Sequence, residues 1–133
     1  MAIVCLDTDL IVDMIRGHAP LSELLALSSM GVSTTMINIL ELYYGAYKSG
    51  KASDLALIDA LSGSITVMDL SVEDVKLAGM MMASLDSKGQ KLDFRDVVIG
   101  AICINRDLAV LTKNIKHFGR MKRFGLKAKS PNG

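Results

Sequence analysis

Short apolar runs closed by polar residues alternate along this chain with stretches whose apolar residues recur at helical spacing. Ala2-Ile3-Val4-Cys5-Leu6 is such a run and stops abruptly at Asp7-Thr8-Asp9, as expected of a strand buried on both faces whose far end opens into a crevice. Leu10-Ile11-Val12-Asp13-Met14-Ile15 then returns to helical spacing, which puts Asp7 at a strand tip and predicts Asp9 as the helix N-cap. Leu21 to Met30 reads as an amphipathic helix with Leu21, Leu24, Leu25 and Leu27 on its apolar side. Gly31 to Thr34 predicts a brief strand, and Thr35 a cap for the apolar helix Met36 to Gly45, interrupted by Asn38 and Glu41 one turn apart. After a turn at Lys48 to Lys51, Leu55, Leu57, Ile58 and Leu61 mark a short helix. Ile65 to Leu70 is β-rich, and Ser71 with Asp74 forms a capping-box signature for a helix reaching about Lys88. A buried helix is predicted from Phe94, with Val97, Val98, Ala101, Ile102 and Cys103 at helical spacing and its acids confined to the first turn. The strand Leu108 to Thr112 follows and ends in Lys113-Asn114, then a short turn through His117-Phe118.

Strands alternating with helices predict an α/β domain with a mainly parallel sheet, whose ligands gather where the strands end. At 133 residues and 50% hydrophobic content the chain has enough apolar mass for one closed core. Its net charge of +1 excludes a strongly basic nucleic-acid binder on bulk grounds and leaves local patches open. Cys5 and Cys103 sit in apolar company and read as small core residues, so a reducing cytoplasm is expected. No apolar stretch approaches membrane-spanning length and no leader pattern opens the chain, so a cytoplasmic protein that does not enter membranes is expected. The run Met80-Met81-Met82 reads as packing. Tyr43, Tyr44 and Tyr47 have the character to stack on bases or fill a subunit interface, with at least one expected in the core. Lys116, Arg120, Lys122, Arg123, Lys127 and Lys129 collect at the C-terminal end as a solvated tail or as phosphate contacts.

The acids carry the candidate chemistry. Asp93 and Asp96 share the first turn of the late helix, close enough that joint ionisation calls for a cation nearby. Asp93 equally suits a simple helix cap, whereas Asp96 opens an almost uncharged run and would be partly buried. Glu41 in its apolar helix must neutralise, meet a cation or face a polar cavity, with Asn38 as its polar neighbour. Asp7 and Asn114 end two strands. Carboxylates gathered at one sheet edge repel by a few kcal/mol per close pair at an effective dielectric near ~20, a penalty that a dication removes. Oxygen donors without His or Cys select Mg²⁺ or Mn²⁺, and such an ion meets the needs of phosphodiester hydrolysis by activating water. His18 and His117 are not in ligand spacing, and no Ser-His or Cys-His pair suggests a covalent route.

The ordered set Leu6-Asp7-Thr8-Asp9, Asn38-Ile39-Leu40-Glu41-Leu42-Tyr43-Tyr44-Gly45, Asp96-Val97-Val98-Ile99-Gly100-Ala101 and Leu111-Thr112-Lys113-Asn114 with His117-Phe118 resembles the PIN-domain family, most closely its VapC-type toxins. The resemblance implies a single PIN-like domain over residues 1–133, a three-layer α/β/α fold with a central, mainly parallel sheet. It further implies an Mg²⁺- or Mn²⁺-dependent endoribonuclease, often a homodimer, silenced by a small VapB-like antitoxin that covers the acidic groove. Carried over by motif, Asp7, Glu41 and Asp96 would be the catalytic, metal-binding acids. The family's fourth acidic position falls on Asn114, which brings no charge, and Asp93 is the candidate to supply it. Thr112 would stand beside the site as a hydroxyl ligand or orienter, and Asn38, Lys113, Lys116 and Arg120 would contact the RNA. Two alternatives are carried: a PIN-like domain that binds RNA or a partner without cutting, and a fold resembling the haloacid-dehalogenase phosphatases with Asp7 as nucleophile. The latter expects an acidic pair after Lys113, where this chain has Asn114-Ile115-Lys116.

Overall fold

The computed structural model describes residues 4–18 and 31–131. The helix expected over Leu21 to Met30 lies outside them.

Five strands form one sheet: β1 (Val4–Leu6), β2 (Val32–Thr35), β3 (Thr66–Met68), β4 (Ala109–Leu111) and β5 (Lys127–Lys129). Their order is β3-β2-β1-β4-β5 and every pairing is parallel, so the parallel sheet read from the alternation of elements and the three-layer α/β/α fold implied by the resemblance are both observed. The fifth strand was not expected. Lys127-Ala128-Lys129 pairs with Ala109, Val110 and Leu111, and the basic C-terminal stretch is therefore an edge strand rather than a tail. Lysines on an unpaired edge discourage further strand addition, which suits their place here.

Alternation along the strands sends successive residues to opposite faces. Cys5, Met68 and Val110 join one core with the helices α4 (Val72–Ser87) and α5 (Phe94–Asn105), where Met81, Leu85, Val97, Ile99 and Ile102 are fully buried. Leu6 and Val32 join the other, against α1 (Thr8–Asp13), α2 (Met36–Ser49) and α3 (Ala52–Ser62), through Ile11, Ile39, Leu42, Ile58 and Leu61. The thiols of Cys5 and Cys103 are free and lie in the first core, as their apolar setting suggested. Of the three consecutive methionines Met81 is wholly buried and Met80 is exposed. No described helix is long and apolar enough to cross a membrane.

Local signals set the helix starts that flank the site. Thr35 and Asn38 make a reciprocal capping box at the mouth of α2, and Ser71 with Asp74 does the same for α4. Gly50, in the left-handed region at φ 72°, ends α2. At α1 the expectation is corrected. The cap is Asp7, whose carboxylate accepts from the Thr8 backbone N–H, while Asp9 sits inside the first turn and accepts from the Lys113 backbone N–H at 3.3 Å. Asp7 takes the role because it is the residue still in extended conformation, at φ −77° and ψ 159°.

Candidate active site

β1 and β4 are neighbours in the sheet although the chain between them first builds β2 and β3 on the other side. A crevice opens outside the strand ends at such a reversal. Asp7 follows β1 directly and Thr112 follows β4, with the ladder carried one step further by Asp7 N–H to Leu111 O at 3.0 Å. Glu41 comes to this edge from α2 and Asp96 from the first turn of α5.

Asp7 is buried and held on both oxygens. Its Oδ1 accepts from Thr8 N–H at 2.9 Å and from Asn38 Nδ2 at 3.3 Å, and its Oδ2 from Thr112 Oγ1 at 2.7 Å. Thr112 in turn accepts from the Asn114 backbone N–H at 2.9 Å. Asn38, expected against the RNA, is instead wholly buried beneath the acids: it donates also to Thr8 Oγ1 at 2.9 Å and its Oδ1 closes the Thr35 cap. Its place in the capping box turns the amide inward, so it positions Asp7. Thr8 Oγ1 passes the chain of bonds on by donating to Glu41 Oε1 at 3.0 Å. Asp7 and Glu41 are thereby linked through Thr8 and Asn38. The Thr8 hydroxyl carried no signal in the sequence because its partners are 30 and 33 residues away.

The three acids share one field. Burial pushes the Asp7 carboxyl above its ordinary range, against hydrogen bonds from Thr112, Thr8 and Asn38 that work the other way. Burial likewise raises Glu41, opposed by the Thr8 bond and the Arg95 charge, with the charges of Asp7 and Asp93 adding to the rise. Asp96 is pushed up to about 6, first by burial and then by the negative charges of Asp7, Asp93 and Glu41, with His117 opposing. Asp7 and Glu41 are joined through Asn38 and Thr8, and Asp96 feels the charges of both.

Asp93 behaves differently. It caps α5, and Arg95 takes both of its oxygens, with Nε on Oδ1 at 3.1 Å and Nη2 on Oδ2 at 2.8 Å. That pairing holds its carboxyl down near about 2. The charge expected to make up for Asn114 is therefore already neutralised by a neighbour. Asn114 begins α6 (Ile115–Gly119), and its Nδ2 meets His117 Nδ1 at 2.8 Å. Lys113 pairs with Asp13, Arg120 reaches the Lys91 carbonyl at 3.5 Å, and Lys116 is exposed. Among the described residues no group of three or more His, Cys, Asp or Glu side chains forms a ready cation cage.

A profile described as PIN domain matches residues 4–123. The ribonuclease VapC2 of Haemophilus influenzae is 26% identical over 119 residues, covering 87% of this chain and 89% of its own. A protein of Salmonella typhimurium named tRNA(fMet)-specific endonuclease VapC is 27% identical over 118 residues, with the same coverage of each chain. Among solved structures, DNA-bound VapBC from Salmonella typhimurium superposes with a TM-score of 0.83 at 25% identity and covers 98% of both chains. VapBC2 from Rickettsia felis bound to a promoter DNA fragment gives 0.82 at 26% identity, over 96% of this chain and 98% of that one.

Proposed function

We propose that this chain, which belongs to the PIN-domain family, is a divalent-cation-dependent endoribonuclease and the toxin of a VapBC-type pair. The observation that carries the reading is the meeting of Asp7, Glu41 and Asp96 at the β1 and β4 ends, each pushed toward its protonated form by burial and by its neighbours' charges. A hard dication fits that donor set, which is all oxygen and electrostatically strained. When bound, the cation would supply charge against the acids and Lewis acidity toward a phosphate oxygen and a water.

The chain's own residues do the holding. Thr112, Thr8 and Asn38 fix both oxygens of Asp7, and Thr8 orients Glu41. Among the described residues no donor reaches the Asp96 carboxyl, so both of its oxygens are open to a ligand. Asn114 adds an uncharged amide already engaged with His117, and the reading needs only the three acids. The reading gives the exposed Lys116 and the partly exposed Arg120 to the RNA backbone. Hydrolysis would then be of single-stranded or loop RNA, in keeping with relatives named as ribonucleases.

The partners follow the same logic. A groove of about 720 Å³ runs from Glu41 past Val12, Ile15, Arg16, Leu42 and Ile58 and gives a small VapB-like antitoxin room to lie against the site. Met36, Leu40, Tyr44 and Tyr47 leave an exposed apolar stripe along α2, with Tyr44 64% exposed, which suits a homodimer contact. The phosphatase alternative loses ground on one observation: Asp7 accepts three hydrogen bonds on its two oxygens, a poor state for a nucleophile.

The test is purified protein, freed of any partner, incubated with RNA in Mg²⁺, Mn²⁺ or chelator. Cleavage with either metal, its loss in chelator and its loss in Asp96→Asn are expected. RNA binding without products under all three conditions would favour the non-cutting domain, and unchanged cleavage by Asp96→Asn would remove the assignment.

A further inference from the structure

Arg95 stands one residue before Asp96, and its exposed guanidinium is paired rather than free. Nε and Nη2 grip the two oxygens of Asp93 side by side, and the Arg95 backbone N–H donates to the same Oδ1 at 2.9 Å. Both ends of the residue are thus tied to one carboxylate. The third nitrogen, Nη1, makes no hydrogen bond and only a long ion pair with Glu41. It stands 3.8 Å from Glu41 Oε2, beyond hydrogen-bond reach, and the side chain is 48% exposed.

An arginine pinned by two nitrogens presents the donors of the third in a fixed direction, and here that direction is the mouth of the acid cleft. Its planar fork is already ordered, so little freedom remains to be lost when an anion arrives. A cleft lined by Asp7, Glu41 and Asp96 repels a polyanionic backbone, and the chain's net charge of +1 gives no general attraction to offset this. The Lys113 ammonium is occupied by Asp13 and the Arg106 guanidinium by Asp74.

We propose that Arg95 is a phosphate-contacting residue for single-stranded RNA at this site, and that Asp93 is its positioning residue rather than a metal ligand. The inference rests on the nuclease reading above. The contact is with a backbone phosphate beside the cleft, since Nη1 presents N–H donors in the plane that suits phosphate oxygens. Asp93 contributes twice, by capping α5 and by aiming the guanidinium.

The test titrates the full chain against a fluorescently labelled single-stranded RNA of mixed sequence, in EDTA, across a salt series. Arg95→Gln is expected to weaken binding roughly tenfold, as for loss of one hydrogen bond to a charged group. It should also flatten the slope of log K against log salt by about 0.7, the value for one phosphate contact on a single strand. Asp93→Asn, which keeps a capping side chain, should weaken binding while leaving the slope nearer that of the parent. If Arg95→Gln matches the parent in affinity and slope while the parent cleaves RNA with Mg²⁺, this inference alone falls. If the parent neither binds RNA nor cleaves it with metal, the nuclease reading falls and takes the inference with it. Where the parent cleaves but binds too weakly to titrate in EDTA, KM decides: a several-fold rise in Arg95→Gln supports the contact, and an unchanged KM overturns it.

Discussion

The Thr112 hydroxyl donates to Asp7 Oδ2 at 2.7 Å, joining the ends of two adjacent strands 105 positions apart in the chain. Thr112 Oγ1 itself accepts from the Asn114 backbone N–H, so one buried hydroxyl both steadies the acid and starts the turn into α6. Thr112→Val keeps the shape and removes both bonds. A loss of about 1–2 kcal/mol is expected from the unpaired groups, read by thermal or denaturant unfolding. Without that donor the Asp7 carboxyl rises further, so half-maximal cleavage should require more Mg²⁺. Thr112→Ser should restore both properties, and a metal requirement that does not move in Thr112→Val would detach Thr112 from the site.

Asp96 trades stability for its place. The folded protein holds its proton more tightly than an unfolded chain does, with the carboxyl moved from 3.8 to about 6. Stability therefore falls as pH rises from about 4 to about 6 and stays lower above that range. Asp96→Asn should be more stable than the parent at pH 7.5 by about 1–2 kcal/mol, allowing for solvent screening of a half-exposed group. The gain should vanish below pH 4, where both states of the parent carry the proton. Mg²⁺ should raise the melting temperature of the parent and not of the variant. A variant that melts like the parent at pH 7.5 and still responds to Mg²⁺ would contradict this.

The parts of this molecule that are legible in its sequence are those set within a few residues. The Ser71–Asp74 and Thr35 caps follow from side chains three positions from the N–H groups they satisfy, and the alternation of Val4, Cys5 and Leu6 between two cores follows from strand geometry. The parts that were not legible depend on distant partners. Lys127 to Lys129 is too short and too charged to read as a strand, and becomes one because β4 offers an open edge. Asp7 and Asp9 are equivalent as cap candidates until the backbone turns at Asp7. Asn38 looked like a ligand-facing amide because its polarity was visible and the Thr35 and Thr8 partners that bury it were not. Asp93 drew a metal role from its charge, which Arg95 cancels two residues on.

Asp74 shows what a buried acid looks like when it belongs to the scaffold. It is wholly buried, and accepts from Asn105 Nδ2 at 2.8 Å, from the Ser71 backbone N–H at 2.9 Å and from Arg106 Nη1 at 3.0 and 3.1 Å. Burial works to raise its carboxyl, but the bonds from Arg106, Asn105 and Ser71 outweigh it and hold the group below its ordinary range. This pair contributes stability that is present above the unfolded carboxylate pKa and is lost as pH falls through the lower folded value. Arg106→Gln leaves the charge without its partner and should cost about 3 kcal/mol at pH 7. The difference from the parent should narrow as the pH falls into the acid range, where Asp74 in the variant takes up a proton. A constant difference across that range would mean that packing of Arg106, not its charge, carries the effect.

Asn114 is the position at which restoring a charge asks most of the site. Its backbone N–H meets Thr112, which holds Asp7, and its side chain meets His117, whose charge acts on Asp96. Asn114→Asp would therefore place a fourth carboxylate beside three that already resist ionisation. At an effective dielectric near ~20 each close pair adds a few kcal/mol before solvent screening, so a net loss of about 1–2 kcal/mol is expected in EDTA. A dication bound among the acids offsets the added repulsion, so the Mg²⁺-induced rise in melting temperature should be larger in Asn114→Asp than in the parent. Thermal melts of the two proteins in EDTA and in a Mg²⁺ series read all of this directly. Equal melting in EDTA, with an equal response to Mg²⁺, would mean that position 114 stands outside the field of the acids, and that its alignment with a fourth acidic ligand carries no electrostatic meaning in this chain.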